Sequence, residues 1–143
     1  MTQFQGLNCI LLVDDDTPTN FLHKMVIKKS GIEAEVQALT SAIEALDYLT
    51  KKGKYAGHEV TLPEMILLDI NMPAMDGWEF LEAYQQMEIE TRARIIIIML
   101  TTSLNPADRE RAESHKEVVT FLNKPLQPGV LEEVIGANFK KLS

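Results

Sequence analysis

Met65-Ile66-Leu67-Leu68-Asp69 is an apolar run that ends on a carboxylate and passes at once into Ile70-Asn71-Met72-Pro73. Four consecutive apolar residues before a turn signal read as a strand buried on both faces, and an acid at its carboxyl end faces a loop. The same arrangement stands upstream, where Ile10-Leu11-Leu12-Val13 runs into Asp14-Asp15-Asp16 and then Thr17-Pro18. Two buried strands thus deliver acids toward one edge of one sheet.

Outward from these runs, short β-rich segments alternate with longer ones of helical period, the pattern of a parallel sheet wrapped by helices. Strands are expected at 8–13, 33–38, 64–69, 95–100 and 118–122. Thr17 and Pro18 supply a cap and first turn for a helix whose Phe21, Leu22, Met25 and Val26 form an apolar stripe ending before Gly31. Ser41 with Glu44 has the spacing of a capping box for a second helix, with Ile43, Leu46 and Leu49 along one face and an end near Gly53. Asp76 with Glu79 repeats that spacing ahead of Phe80, Leu81 and Tyr84. Asn105-Pro106, followed by Asp108, opens a fourth helix that is mostly charged (Arg109, Glu110, Arg111, Glu113) and has little to bury. The fifth begins near Pro128 and carries Val130, Leu131, Val134, Ile135 and Phe139 inward, with Gln127 a weak cap. The expected fold class is α/β: a five-stranded parallel sheet of order 2-1-3-4-5 with five helices, a flavodoxin-like, doubly wound (βα)5 arrangement. Such sheets bind ligands outside the carboxyl ends of the strands where strand order reverses, here between the first and third strands. Topology therefore brings Asp14, Asp15 and Asp69 into one pocket.

The 143 residues, 45% hydrophobic and 24% charged, suit one globular domain whose core forms unaided. Seven Gly and six Pro are spread between apolar segments, so no linker or repeat divides the chain. A single domain over 1–143 is expected, without an attached output domain. A net charge of -7 argues against direct nucleic-acid binding, which needs a basic face. The one cysteine, Cys9, cannot form an internal disulfide and suits a small core residue in a reducing cytoplasm. No signal-peptide pattern opens the chain and the longest apolar run, Ile95 to Leu100, is far too short to cross a bilayer. A cytoplasmic location without membrane insertion is the expectation.

Three carboxylates in one pocket repel one another and either take up protons or recruit a cation. Magnesium favours one or two carboxylates with waters and phosphate oxygens, whereas His23, His58 and His115 are scattered rather than grouped for zinc. A metal beside a carboxylate can neutralise an incoming phosphoryl group while an Asp attacks phosphorus to make an aspartyl phosphate. The ends of the remaining two strands add a hydroxyl and a cation, Thr101-Thr102-Ser103 and Lys124-Pro125.

Asp14-Asp15, Asp69 with Asn71-Met72-Pro73 and Asp76-Gly77, Thr101-Thr102-Ser103 and Lys124-Pro125, in that order, resemble the receiver domain of two-component response regulators. The resemblance implies that Asp69 is the phosphoacceptor. It also implies that Asp15, Asp69 and the backbone carbonyl of Asn71 hold Mg²⁺ or Mn²⁺, with Asp14 assisting mainly through water. Lys124 would pair with the Asp69 carboxylate and later with the phosphoryl group, Thr101 would turn its hydroxyl onto the phosphoryl oxygens, and Phe121 would be the switch aromatic that follows it inward. The Lys124-Pro125 bond resembles one that is cis in this family, aiming the lysine into the pocket. Asn71 and Ser103 hold positions that tune access of attacking water, and neither is suited to orient it, which implies slow self-dephosphorylation. Taken singly, each motif has a plainer reading as a cap, a turn, loop polarity or, for Phe121, core. Asp16 reads as a cap and Trp78 as packing.

The implied protein is a single-domain response regulator, not a turnover enzyme, that takes a phosphoryl group from a histidine kinase or histidine phosphotransfer protein. It would signal through the surface of helix four, strand five and helix five to a downstream protein, along a phosphorelay, or through a phosphorylation-dependent homodimer. Segment 51–63 (KKGKYAGHEVTLP) is longer than in the shortest receivers and reads as a partner-binding or mobile loop. With Thr101-Thr102-Ser103 it resembles stand-alone receivers associated with bacterial phytochrome-type and hybrid kinases. Three rivals stay open. A metal-dependent phosphohydrolase would need a paired acid where Asn71 stands; a flavodoxin-type module would need a phosphate-cradling loop where Asp14-Asp15-Asp16 repels phosphate; a scaffold that works without phosphorylation would have no use for an intact acid pocket.

Overall fold

The computed structural model describes residues 2–92, 94–102 and 105–142. After a two-residue strand, β1 (Gln3–Phe4), the chain enters a sheet of five parallel strands: β2 (Cys9–Val13), β3 (Glu35–Leu39), β4 (Met65–Asp69), β5 (Ile96–Thr101) and β6 (Val118–Asn123). Their order is β3-β2-β4-β5-β6, the expected 2-1-3-4-5, so the chain reverses direction across the sheet between β2 and β4. Helices α1 (Thr17–Lys29), α2 (Ala42–Thr50), α3 (Gly77–Tyr84), α5 (Pro106–Glu113) and α6 (Pro128–Asn138) each follow a strand, with a four-residue α4 (Ile89–Arg92) added before β5.

Side-chain alternation decides which helices cover which face. Leu11, Val13, Ile66, Leu68, Ile97 and Met99 pack with Ala45 and Leu49 of α2, Phe80, Leu81 and Tyr84 of α3 and Ala112 of α5. Ile10, Leu12, Met65, Leu67, Ile98 and Leu100 pack with Ile27 of α1 and with Leu131 and Ile135 of α6. Burying each such aliphatic side chain contributes roughly 1.5–3 kcal/mol of transfer free energy. Because both faces are covered, the central strands read as unbroken apolar runs rather than alternating ones.

Several local expectations shift. α1 is turned about its axis: Phe21, Leu22 and Met25 face solvent, Phe21 at 66% exposure, while Asn20, His23 and Ile27 point inward. Ile43 of α2 is likewise exposed, and Ala42, Ala45, Tyr48 and Leu49 form the buried face. The N-cap of α1 is Asp16, not Thr17, and its carboxylate takes the hydroxyl of Thr19 rather than a backbone N–H. Ser41 accepts the Glu44 N–H at 3.0 Å, but the Glu44 carboxylate turns to Lys54 at 2.9 Å instead of closing a capping box. α2 stops at Lys51, which takes the left-handed conformation (φ 57°), ahead of Gly53. The Asp76–Glu79 box is complete, Asn105 caps α5 through the Ala107 N–H, and Gln127 makes no side-chain cap.

Segment 51–63 is packed. It contains a 3-10 turn at Gly53–Tyr55, the Tyr48 hydroxyl donates to the Thr61 carbonyl at 2.6 Å, and the Tyr55 ring meets Tyr48 edge-on at 5.1 Å. An antiparallel ribbon of β1 with β7 (Lys141–Leu142) joins the two ends of the described chain. Among the described residues no helix is long and apolar enough to cross a membrane.

Candidate functional site

β2 and β4 lie side by side with Val13 opposite Leu68, so the next residues, Asp14 and Asp69, emerge together at the reversal point. Asp14 and Asp69 are buried (4% and 5% exposed) and Asp15 is exposed; one carboxylate oxygen from each lies within 4.8 Å of the others. The Asp14 N–H donates to the Leu39 carbonyl at 3.1 Å, which ties the acid loop to β3. One Asp14 oxygen, Oδ1, accepts the Asp16 N–H at 2.9 Å.

β6 delivers the counter-charge. Lys124 Nζ lies 2.5 Å from Asp14 Oδ2 and 3.0 Å from Asp69 Oδ1. Its backbone N–H donates to the Thr101 carbonyl at 2.8 Å, joining the lysine loop to the end of β5, and the Lys124-Pro125 bond is cis. Thr101 is fully buried, one residue past Leu100, which stands opposite Asp69. Asn71 is exposed in the β4–α3 loop and its backbone N–H bonds the Asp69 carboxylate. Phe121 is buried in the core with the Arg109 guanidinium over its ring at 5.2 Å. Ser103 lies outside the described residues.

The β4–α3 loop is held by close packing. The Gly77 N–H donates to the Ile70 carbonyl at 2.8 Å, and a Cβ at Gly77 would come within 2.8 Å of the Asp69 carbonyl oxygen and 2.9 Å of the Ile70 Cα. Both neighbours are backbone, so a side chain there must push the strand end that carries Asp69. Gly77→Ala is expected to cost about 1–3 kcal/mol of stability and to weaken divalent-cation binding, read by urea denaturation and cation titration.

Electrostatics explain why such a cluster wants a cation. Burial, then the neighbouring Asp14 charge, push the Asp69 carboxyl above its ordinary value; the Lys124 and Asn71 bonds pull it back without cancelling the rise. Burial works against the Lys124 charge, but its hydrogen bonds to Asp14 and Asp69 outweigh that and hold it above its ordinary value. Among the described residues, Lys124 pairs with two of the three clustered carboxylates, Asp14 and Asp69, and all three donors are hard oxygens, with no His or Cys in the cluster. That donor set fits a divalent cation of the magnesium or manganese type.

A sequence profile of the response regulator receiver domain matches residues 10–136. The chain belongs to that family. Receivers serve two-component signalling, accepting a phosphoryl group on an aspartate from a histidine kinase. This receiver is 37% identical over 100 residues to the response regulator Rcp1 of Synechocystis, an alignment covering 69% of this chain and 65% of Rcp1. The Mn²⁺-bound form of Rcp1 matches it with a TM-score of 0.71 and 31% identity over 91% of this chain and 90% of that one. A two-component response regulator from Cytophaga hutchinsonii matches with a TM-score of 0.79 and 32% identity, covering 92% of this chain and 96% of that one. The bacteriophytochrome response regulator AtBRR gives 0.78 and 30%, covering 91% of each chain.

Two residues near the receiver's pocket carried no sequence signal beyond being polar within a helix. Asn20 Nδ2 donates to the carbonyls of Asp14 and Leu39, at 2.9 and 3.2 Å, and His23 Nε2 accepts the Leu126 N–H at 3.4 Å.

Proposed function

We propose that this chain acts as a stand-alone, single-domain response regulator over 1–143, phosphorylated on Asp69. The observation that carries the reading is the Asp69 carboxylate, buried at a strand end, shared with a lysine and flanked by two further acids. An Asp69 oxygen attacks phosphorus, the bond from phosphorus to the donor's imidazole nitrogen breaks, and the departing imidazole keeps the electron pair and is protonated from solvent. Asp15, Asp69 and the Asn71 carbonyl would hold Mg²⁺ or Mn²⁺. Asp14 acts mainly through water, because its two oxygens are already engaged by the Asp16 N–H and by Lys124. A bound divalent cation supplies positive charge that offsets repulsion between the carboxylate and the incoming phosphoryl group.

Lys124 then follows the new charge onto the phosphoryl oxygens, and the Thr101 hydroxyl turns toward them. Phe121 transmits that movement to the face formed by α5, β6 and α6. α5 suits such a role because Ala112 is the one buried residue it contributes, so shifting it disturbs little packing. Asn71 and Ser103 offer no base to orient water, so the acyl phosphate decays slowly and the protein signals rather than turns over substrate. The phosphodonor is a sensor histidine kinase or a phosphotransfer protein, and likeness to the bacteriophytochrome response regulator AtBRR favours a kinase of phytochrome type. Output goes to a downstream protein or a phosphorylation-dependent homodimer, without direct nucleic-acid contact, in the cytoplasm.

The test is intact-mass measurement after incubation with acetyl phosphate, with and without Mg²⁺. One phosphoryl group that requires the cation and is removed by hydroxylamine is expected. A folded chain that takes up none would point to a phosphorylation-independent scaffold, and steady release of phosphate from small esters would point to a phosphohydrolase.

A further inference from the structure

A surface helix ordinarily turns its apolar stripe to the core. α1 does the reverse at its N-terminal half, giving Phe21, Leu22 and Met25 to solvent and burying Asn20 and His23. The buried face is polar there because it meets backbone groups of two loops and of the end of β3. Asn20 ties the end of β2 to β3 through the Asp14 and Leu39 carbonyls. Nearly one turn on, His23, 2% exposed, accepts the N–H of Leu126.

Leu126 stands two residues past Lys124, and Pro125 between them has no N–H to offer. The loop that carries Lys124 therefore has a polar anchor on either side of the proline: the Lys124 N–H on the Thr101 carbonyl of β5, and the Leu126 N–H on His23 of α1. A backbone N–H can only donate, so Nε2 is the acceptor and the ring is neutral with its proton on Nδ1. Burial favours that neutral form and holds the ring's pKa below its ordinary value; the Asp14 charge opposes the shift and the Lys124 charge adds to it.

We infer that His23 is a positioning residue for phosphotransfer: by accepting the Leu126 N–H it fixes where Lys124 can reach. The inference rests on Asp69 being the phosphoacceptor. The hydrogen bond goes to the lysine loop and not to the acids, so its loss slows phosphorylation and leaves cation affinity in place.

Wild type, His23→Leu and His23→Gln separate the possibilities, each measured for Mg²⁺ affinity by calorimetry and for the rate of phosphoryl uptake from acetyl phosphate at saturating Mg²⁺. The leucine variant should slow uptake about tenfold with cation affinity nearly unchanged. The glutamine variant, whose amide oxygen can accept the same N–H, should recover most of the rate. Equal rates in wild type and the leucine variant would overturn the inference, as would a folded glutamine variant as slow as leucine, because the role would then be packing. A readout independent of folding variants is the ¹⁵N spectrum of the wild-type ring, expected to show a bare Nε2 and a protonated Nδ1; the opposite tautomer cannot accept the bond and would refute it. A wild type that takes up no phosphoryl group would instead remove the phosphoacceptor reading, with the tautomer still measurable.

Discussion

Asp69→Asn is expected to lose phosphoryl uptake from acetyl phosphate completely and yet, without added divalent cation, to melt above the wild type. Loss follows because an amide is not a nucleophile toward phosphorus. The gain in stability follows from the same burial that makes the site: the ionised carboxylate is desolvated and faces Asp14, which raises its pKa in the folded state. The folded protein then binds more protons than the unfolded chain between the ordinary value of 3.8 and the raised one, so stability increases as pH falls through that window. Above it the charge is a standing cost, which asparagine removes while Lys124 keeps its bond to Asp14. A difference of order 1 kcal/mol at neutral pH corresponds to about 3 °C for a chain of this size. The difference should narrow on acidification, and Mg²⁺ should close or reverse it by binding the native wild type more tightly. Calorimetry with and without Mg²⁺ checks this. An asparagine variant that melts lower at every pH would mean that the pairing with Lys124 outweighs burial and repulsion.

The residues at the sheet's carboxyl edge were legible because they terminate strands buried on both faces. Such strands print as unbroken runs, Ile10 to Val13 and Met65 to Leu68, and the acids that end them stand out. The phase of α1 was not legible. Apolar spacing marks a stripe on a helix, but it does not say whether the stripe faces inward, and the N-terminal half of the inner face here meets backbone carbonyls and an N–H at strand ends and loops, with Ile27 further on reaching the apolar core. Asn20 therefore drew no attention, and His23 read only as one of three scattered histidines. The packing of segment 51–63 depends on Tyr48 reaching Thr61, a contact between residues thirteen apart that no local period encodes. The β1–β7 ribbon escaped for a simpler reason, since two-residue strands carry no pattern at all. Asp16 holds the cap that its sequence suggests, and Thr17, the other cap candidate, is the first helical residue instead, within the ordinary spread of helix boundaries.

Lys124→Met should be the most destabilising substitution at the site, by about 3–5 kcal/mol at neutral pH, because it leaves two buried carboxylates without their shared partner. The sign of its pH dependence separates this from simple loss of packing. In the wild type the Lys124 pKa is raised above 10.5, so its stabilisation is fully present below that value and is lost only as pH rises through the folded pKa. Over the neutral and mildly acidic range the wild type therefore keeps the whole benefit. In the variant, Asp14 and Asp69 face each other unpaired and the folded state takes up protons more readily than the unfolded chain. Variant stability then rises as pH falls, and the gap to wild type shrinks; Mg²⁺ should shrink it too, since a cation can stand in for the lost ammonium. Urea denaturation across roughly pH 5–8 measures both effects. Restored stability would not restore chemistry: on the proposed role of Lys124, at saturating Mg²⁺ the folded variant should still take up phosphoryl groups about 100-fold more slowly, because the ammonium proposed to meet the phosphoryl oxygens is gone. A gap that stays constant with pH would show that Lys124 acts by filling space, and a wild-type rate in the folded variant would show that the phosphoryl group is stabilised without it.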